Sequence, residues 1–308
     1  MSMTTVQVDS KSVSKVAVWT SHFRDLADLT KPRISAMVLV TVVISHFVAS
    51  LGQPNLVVLF HILLGTTLIA ASSGAFNQWL ELETDAQMER TKFRPLPAGR
   101  MNVSEVICFG LATLVAGTAY MFLTVGWGPT IWALATWVVY VCVYTPMKTR
   151  SHWNTFVGAL SGALPILIGW SATGRPMDWN ISGIFWLLFI WQFPHFIAIA
   201  WIYREQYSRA GLQMVTTTDP TGKSAGTISF VGALLVWISS LLPLLSLNSI
   251  TFTGCLYACL ASALAMFQLR AARRFQKEQT DQSARQLLKA SVVYLPLALG
   301  LIAVQTVL

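Results

Sequence analysis

Residues 56–100 read LVVLFHILLGTTLIAASSGAFNQWLELETDAQMERTKFRPLPAGR. The first 25 of them hold no Asp, Glu, Lys or Arg, and the next 20 hold eight. A helix rises about 1.5 Å per residue, so the apolar run (56–79) is long enough to cross a hydrocarbon layer of about 30 Å. It then empties into a dense knot of opposite charges. The fold follows from the run, and the function has to explain the knot.

Composition extends this reading to the whole chain. Its 308 residues are 54% hydrophobic and 11% charged, with a mean hydropathy of +0.58. Soluble domains carry about 25% charged residues, so a soluble enzyme is excluded. The apolar runs are continuous and do not alternate with period two, which excludes a transmembrane β-barrel. They predict nine helices, near 34–51, 56–79, 104–124, 128–146, 153–172, 182–202, 226–246, 250–269 and 288–307. The expected architecture is an all-α, polytopic membrane bundle of about nine spans. It forms one domain, 31–308, behind a polar N-terminal tail, 1–30. That tail lacks the apolar core of a signal peptide. Asp9 counts against a mitochondrial presequence, so a bacterial inner membrane is expected over a mitochondrial one. Cys108, Cys142, Cys255 and Cys259 lie in apolar runs and read as small packing residues.

The short joints 52–55, 126–129 and 247–249 fall on one side of such a bundle, and the longer polar loops fall on the other. On this layout 20 of 21 Lys and Arg share the side of the N-terminus and the long loops, with Arg175 alone opposite. The positive-inside rule makes that side cytoplasmic and, with nine spans, puts the C-terminus outside. The net charge of +8 is then topology plus an anionic ligand, and requires no nucleic acid. Twelve of 13 acids share the same side, and none sits mid-span. Ion-coupled carriers place ionisable groups near the bilayer midplane. This distribution points instead to an enzyme working at one membrane face.

Asn77, Glu81 and Asp85 are spaced i, i+4, i+8, so a continued helix would line them on one face. They make a partial Mg²⁺ shell, which water and substrate phosphate oxygens complete. On spacing alone, an ion-paired helix end explains them equally well. The downstream Arg90, Lys92, Arg94 and Arg100 favour metal together with a polyanion such as diphosphate. Glu83 points off the stripe. Two other basic elements open at the same face: Lys31 and Arg33 around Pro32, and Tyr144, Lys148 and Arg150 after the fourth span. Each alone is an ordinary interfacial anchor. Together they can ring one anionic pocket.

Asn-x₃-Glu-x₃-Asp, followed by RTKFRPLP (90–97), LTKPR (29–33), YTPMK (144–148), WQFPHF (191–196) and ARQLLKASVVYLPL (284–297), resembles the UbiA-type intramembrane prenyltransferases. Within them, the RTKFRPLP and WQFPHF pieces look like the protohaem IX farnesyltransferase (haem O synthase) branch. The resemblance implies a UbiA-like bundle that moves the farnesyl group of farnesyl diphosphate to a vinyl carbon of protohaem IX. Water is added, haem O is formed and diphosphate is released. It implies Mg²⁺ on Asn77, Glu81 and Asp85, with Glu81 where relatives often carry Asp. Lys148, Arg33, Arg94 and Lys31 would neutralise the diphosphate, with Arg90 and Arg150 nearby. Tyr144 either faces the allylic cation or anchors the interface.

The superfamily's second acidic motif is missing from WIYREQYSRAGLQMV (201–215), where Gln206 stands in place of an Asp. Glu205 is then the remaining second metal contact, while Tyr207 and Arg209 match the family's loop. His195 is an imidazole of haem-ligand type, or else a hydrogen-bonded core side chain. A haem A synthase or terminal oxidase assembly is the implied partner. Three rivals share parts of this pattern. An aromatic prenyltransferase of quinone synthesis keeps the stripe. A Mg²⁺ or organic-anion transporter keeps the vestibule. A haem chaperone keeps only the haem.

Overall fold

The computed structural model describes residues 15–219, 221–246, 249 and 251–308, with backbone alone for 15–21. The first half of the expected tail, 1–14, therefore lies outside the described residues. Its second half is a helix, α1 (Lys15–Leu29). Leu29 is fully buried beside Ala75 and Val106, and Asp25 takes a 2.8 Å hydrogen bond from Arg100.

Eight described helices are long and apolar enough to cross a membrane. In chain order, α2 (Pro32–Ala49) and α3 (Leu56–Leu80) are followed by the short α4 (Leu82–Ala86) and by α5 (Val103–Thr124). The next span is composite: α6 (Trp127–Val138), a π-helical turn (Val139–Tyr144) and α7 (Thr145–Met147). Then come α8 (Asn154–Ala163), α9 (Pro165–Ser171) and α10 (Trp179–Ile202). Two short helices, α11 (Arg204–Arg209) and α12 (Val215–Thr218), precede α13 (Lys223–Leu241), α14 (Phe252–Glu278) and α15 (Asp281–Val307). The sequence predicts an unbroken helix over 153–172. The structure instead interrupts it at Leu164, because Pro165 can start a helix but cannot donate into the preceding turn. The pair α8 and α9 fills the stretch of the remaining expected span, and neither helix is among the eight long enough to cross.

The helix starts are written locally. The Asn55 side chain accepts from Val57 N and Val58 N, Asp178 does the same for Asn180 and Ile181, and Thr280 forms a reciprocal cap with Ser283. Each such cap contributes about 1 kcal/mol. Helix α10 runs through the middle of the bundle, packed on α13, α15 and α8. Around it, Trp170, Ile184, Leu187 and Tyr294 form the main core. The outer faces keep large apolar side chains such as Leu111, Val115, Ile238 and Phe267 exposed, which a lipid-facing surface requires and a water-facing one would not tolerate in such number. The four cysteines are free and exposed on these outer faces rather than packed inside. The chain is a multi-pass integral membrane protein.

Candidate active site at one end of the bundle

The acidic stripe sits where α3 ends. Glu81 leaves helical geometry (φ −98°, ψ 10°), yet the hydrogen bonds Glu81 N to Asn77 O (3.0 Å) and Asp85 N to Glu81 O (2.7 Å) carry the four-residue register through the break. Asn77, Glu81 and Asp85 therefore stay on one side although the helix does not continue through them. Asn77 and Asp85 are buried.

Each of the three oxygen-bearing groups holds one cation. Lys31 Nζ donates to Asn77 Oδ1, Lys148 Nζ to Glu81 Oε1 at 2.5 Å, and Arg94 Nη1 to Asp85 Oδ2. The three cations arrive from three places in the chain. Lys31 occupies a left-handed backbone conformation (φ 50°, ψ 61°) just before α2, a geometry that costs about 1 kcal/mol in a side-chain-bearing residue. The turn is held by close packing on Gly74, where a Cβ would lie 2.4 Å from Leu29 O. Gln78 donates to Asp28 O (3.1 Å) and Ser35 to Thr30 O (2.7 Å), fixing it further.

Lys148 follows the π-helical turn. Pro146 offers no N–H to the carbonyl four residues earlier, and the wider turn absorbs that loss. Thr145 Oγ1 bonds Tyr140 O (2.9 Å) and accepts from Asn77 Nδ2 (2.9 Å). Arg94 comes from the loop after α4, where Thr91 Oγ1 donates to Asp85 O at 2.9 Å.

Burial and charge act against each other here. Burial pushes Lys31 down to about 7, against the pull of Glu81. Burial acts to raise Glu81, but Lys148 and Lys31 outweigh it and leave the carboxyl below its ordinary value. Burial tends to lower Lys148, and Glu81 reverses it to a net rise. At Asp85 burial prevails over Arg94 and the pKa goes up. The cluster is a set of short-range pairs that can exchange partners. Carboxylates can turn to a cation and ammonium groups to an anion without moving new charge into the membrane.

A cavity of about 380 Å³ opens from this cluster into the bundle. Lys31, Glu81, Asp85, Arg90, Arg94, Tyr144, Lys148 and Tyr207 line it at the charged end, and Ile69, Ala133, Trp137, Ile168 and Phe196 line its apolar part. Asn77 stands behind the wall, with Lys31 in front of it. Arg90 reaches Tyr207 Oη at 3.5 Å and lies over the Tyr203 ring at 5.4 Å. Burial raises the Tyr207 pKa, so its hydroxyl stays a neutral donor at the mouth.

Besides Asn77, five residues expected at the site are not on the cavity wall. Arg33, Arg150, Glu205 and Arg209 are exposed. Each lies two residues from one that does line it, namely Lys31, Lys148 or Tyr207. Arg33 and Arg150 are separated from Lys31 and Lys148 by a left-handed residue and by the turns after α7. Within α11 a helical step of two turns a side chain through about 200°, so Glu205 and Arg209 face away from the side that Tyr207 presents. Glu205 thus stands apart from the stripe. His195 sits in the seam between α10 and α15, its Nδ1 2.9 Å from Ser291 Oγ and its ring stacked on Trp191 at 4.6 Å.

Among the described residues no three His, Cys, Asp or Glu side chains gather as a metal group. Two carboxylates and an amide oxygen do fit Mg²⁺, which takes one or two carboxylates and keeps positions for water and phosphate. Sequence reasoning missed Tyr140, Asn154 and Gln192, which also line the cavity. Asn154 Nδ2 bonds both Ser151 O and Gln213 O at 2.7 Å, and Gln213 N donates to Lys148 O at 2.7 Å. These bonds fold the 203–214 loop over the mouth. A signal existed for Gln192, an amide within an otherwise apolar span.

Residues 38–293 match the UbiA prenyltransferase family. The protoheme IX farnesyltransferase of Rhodopirellula baltica is 40% identical over 286 residues, 89% of this chain and 97% of its own. That of Solibacter usitatus is 39% identical over 288 residues, 90% of this chain and 97% of its own. The fold is similar to a UbiA homolog from Archaeoglobus fulgidus solved with DMAPP and Mg²⁺ (TM-score 0.71, 17% identity, 92% of this chain and 99% of that one). It is also similar to a structure described for digeranylgeranylglyceryl phosphate synthase (TM-score 0.77, 16% identity, 92% of this chain and 98% of that one).

Proposed function

The chain belongs to the UbiA prenyltransferase family and is a prenyltransferase of the protohaem IX farnesyltransferase kind; we propose that it moves the farnesyl group of farnesyl diphosphate to a vinyl carbon of protohaem IX, adds water, and releases diphosphate to give haem O. The single observation that carries this reading is the shape of the cavity. A cluster of paired cations and oxygen donors closes one end of an apolar chamber, which suits an amphiphile with a diphosphate head and a hydrocarbon tail. The choice of protohaem as acceptor draws on the relatives.

Glu81 and Asp85, with Asn77 behind them, are the residues that would hold Mg²⁺. When bound, that ion supplies charge neutralisation to the diphosphate. Lys31, Arg94 and Lys148 exchange their carboxylate and amide partners for phosphate oxygens. They stabilise the negative charge that develops as the allylic C–O bond breaks. Burial has already drawn the Lys31 pKa to about 7, and an arriving anion raises it, so Lys31 gains its full charge as the diphosphate binds. The Tyr144 ring, with Lys148 Nζ 4.6 Å from its centre, lies between the head-group site and the chamber. Its face takes the allylic cation once Lys148 turns to the phosphate. The contact is worth about 0.5–2 kcal/mol. The apolar walls keep bulk water from the cation.

The membrane is a bacterial inner membrane in this reading, with the charged mouth cytoplasmic and the C-terminus outside. Its product serves a haem A synthase or a terminal oxidase assembly. The test is a chelation series on purified protein in lipid. Farnesyl transfer should vanish with excess chelator and return with Mg²⁺ in the native protein but not in Asp85→Ala. Transfer unaffected by both treatments would overturn the reading.

A further inference from the structure

Helix α8 carries two glycines one turn apart, Gly158 and Gly162, and each makes room for one side chain. A Cβ at Gly158 would lie 2.6 Å from the Tyr144 ring, and one at Gly162 would lie 2.2 Å from Gln192 Oε1. One helical turn of four residues rises about 6 Å. The Tyr144 ring and the Gln192 amide are therefore neighbours along the cavity wall, ordered inward from Lys148. Gln192 is only 6% exposed and belongs to that wall. Its orientation is fixed, because Nε2 donates to Ala159 O (2.9 Å) and Leu188 O (3.2 Å). Two carbonyl partners require the NH₂ group on that side. The oxygen is left beside Gly162, in a chamber that Ser161 and Thr155 also line. A polar acceptor set at this depth, with hydroxyls around it, is a place for one water molecule.

We propose that the Gln192 amide oxygen holds the water that is added during the transfer, which makes Gln192 a catalytic residue of the proposed reaction. This rests on the farnesyl-to-protohaem reading above. The electron balance is simple. The allylic C–O bond breaks, and diphosphate leaves with the electron pair. The vinyl π pair then forms the new C–C bond and leaves a cation on the carbon next to the porphyrin. A water oxygen, hydrogen-bonded to Gln192 Oε1, bonds to that carbon, and its proton passes to the departing diphosphate. Without a held water, the cation loses a neighbouring proton instead and gives an alkene lighter by one water.

The experiment uses full-length protein in lipid with Mg²⁺, farnesyl diphosphate and protohaem, and products separated by mass. Gln192→Leu removes the acceptor, while Gly162→Ala keeps the glutamine but forces its amide aside. Both should still farnesylate protohaem, with the ratio of alkene to hydrated product raised about tenfold, the worth of one hydrogen bond. Should Gln192→Leu fail to fold, Gly162→Ala decides by the same ratio. A ratio unchanged from the native protein, in whichever variants fold, would overturn the proposal. A native protein that leaves protohaem untouched would overturn the underlying reading instead.

Discussion

At the scale of single residues, the site is built from pairs, and pairs make separable predictions. Lys148→Met leaves Glu81 without its partner in a nearly enclosed position, and should destabilise the protein by about 3 kcal/mol. It should also slow farnesyl transfer by about 10²–10³, the range seen when one preorganised charge stabiliser is lost. Adding Glu81→Gln should restore much of the thermal stability and none of the rate. Recovery of rate in the double variant would mean that Lys148 serves only to neutralise Glu81. The stripe and its cations were legible in the sequence because charges are scarce in this chain and their spacing repeats. The orientation of neighbours was not. Lys31 against Arg33 and Lys148 against Arg150 differ by the local backbone, a left-handed residue before α2 in one case and the turns that follow α7 in the other. Nothing in composition specifies these turns.

At the scale of elements, the spans were readable from hydropathy, and their interruptions were not. Glu81, Leu164 and the π-helical turn each break a run that looks continuous, and the breaks at Glu81 and the π-helical turn set the charged end of the site. The 203–214 loop shows the consequence most clearly. It carries Tyr207, Leu212 and Met214 onto the cavity wall, and besides the contacts of Arg90 with Tyr203 and Tyr207 it is tied to the mouth by the Asn154 side chain and the Gln213 to Lys148 bond. Asn154→Leu should therefore loosen the loop without unfolding the bundle. Hydrogen exchange should speed up in 205–214 while α10 stays protected, and KM for farnesyl diphosphate should rise several-fold with kcat less affected. Unchanged exchange in that segment would show that the loop is held by its apolar contacts alone. His195 belongs to this scale too. Its place in the α10–α15 seam follows from its bond to Ser291, a pairing across 96 residues that no local pattern announces.

At the scale of the molecule, the proposed sidedness gathers nearly all the charge on one face of the bundle and the short joints on the other. Single cysteines introduced at Ser151 and at Gly174 into a chain stripped of its four native cysteines should label from opposite sides with a membrane-impermeant maleimide. The first should react from the cytoplasmic side. Labelling of both from one side would refute the proposed sidedness. In the proposed reaction one acceptor and one donor meet at the charged mouth. Its most direct test incubates the protein in lipid with Mg²⁺ and farnesyl diphosphate, offers protohaem and 4-hydroxybenzoate together, and weighs the products. Farnesylated, hydrated haem with free diphosphate is expected, and no farnesylated benzoate. Conversion of the benzoate alone would contradict the proposed reaction.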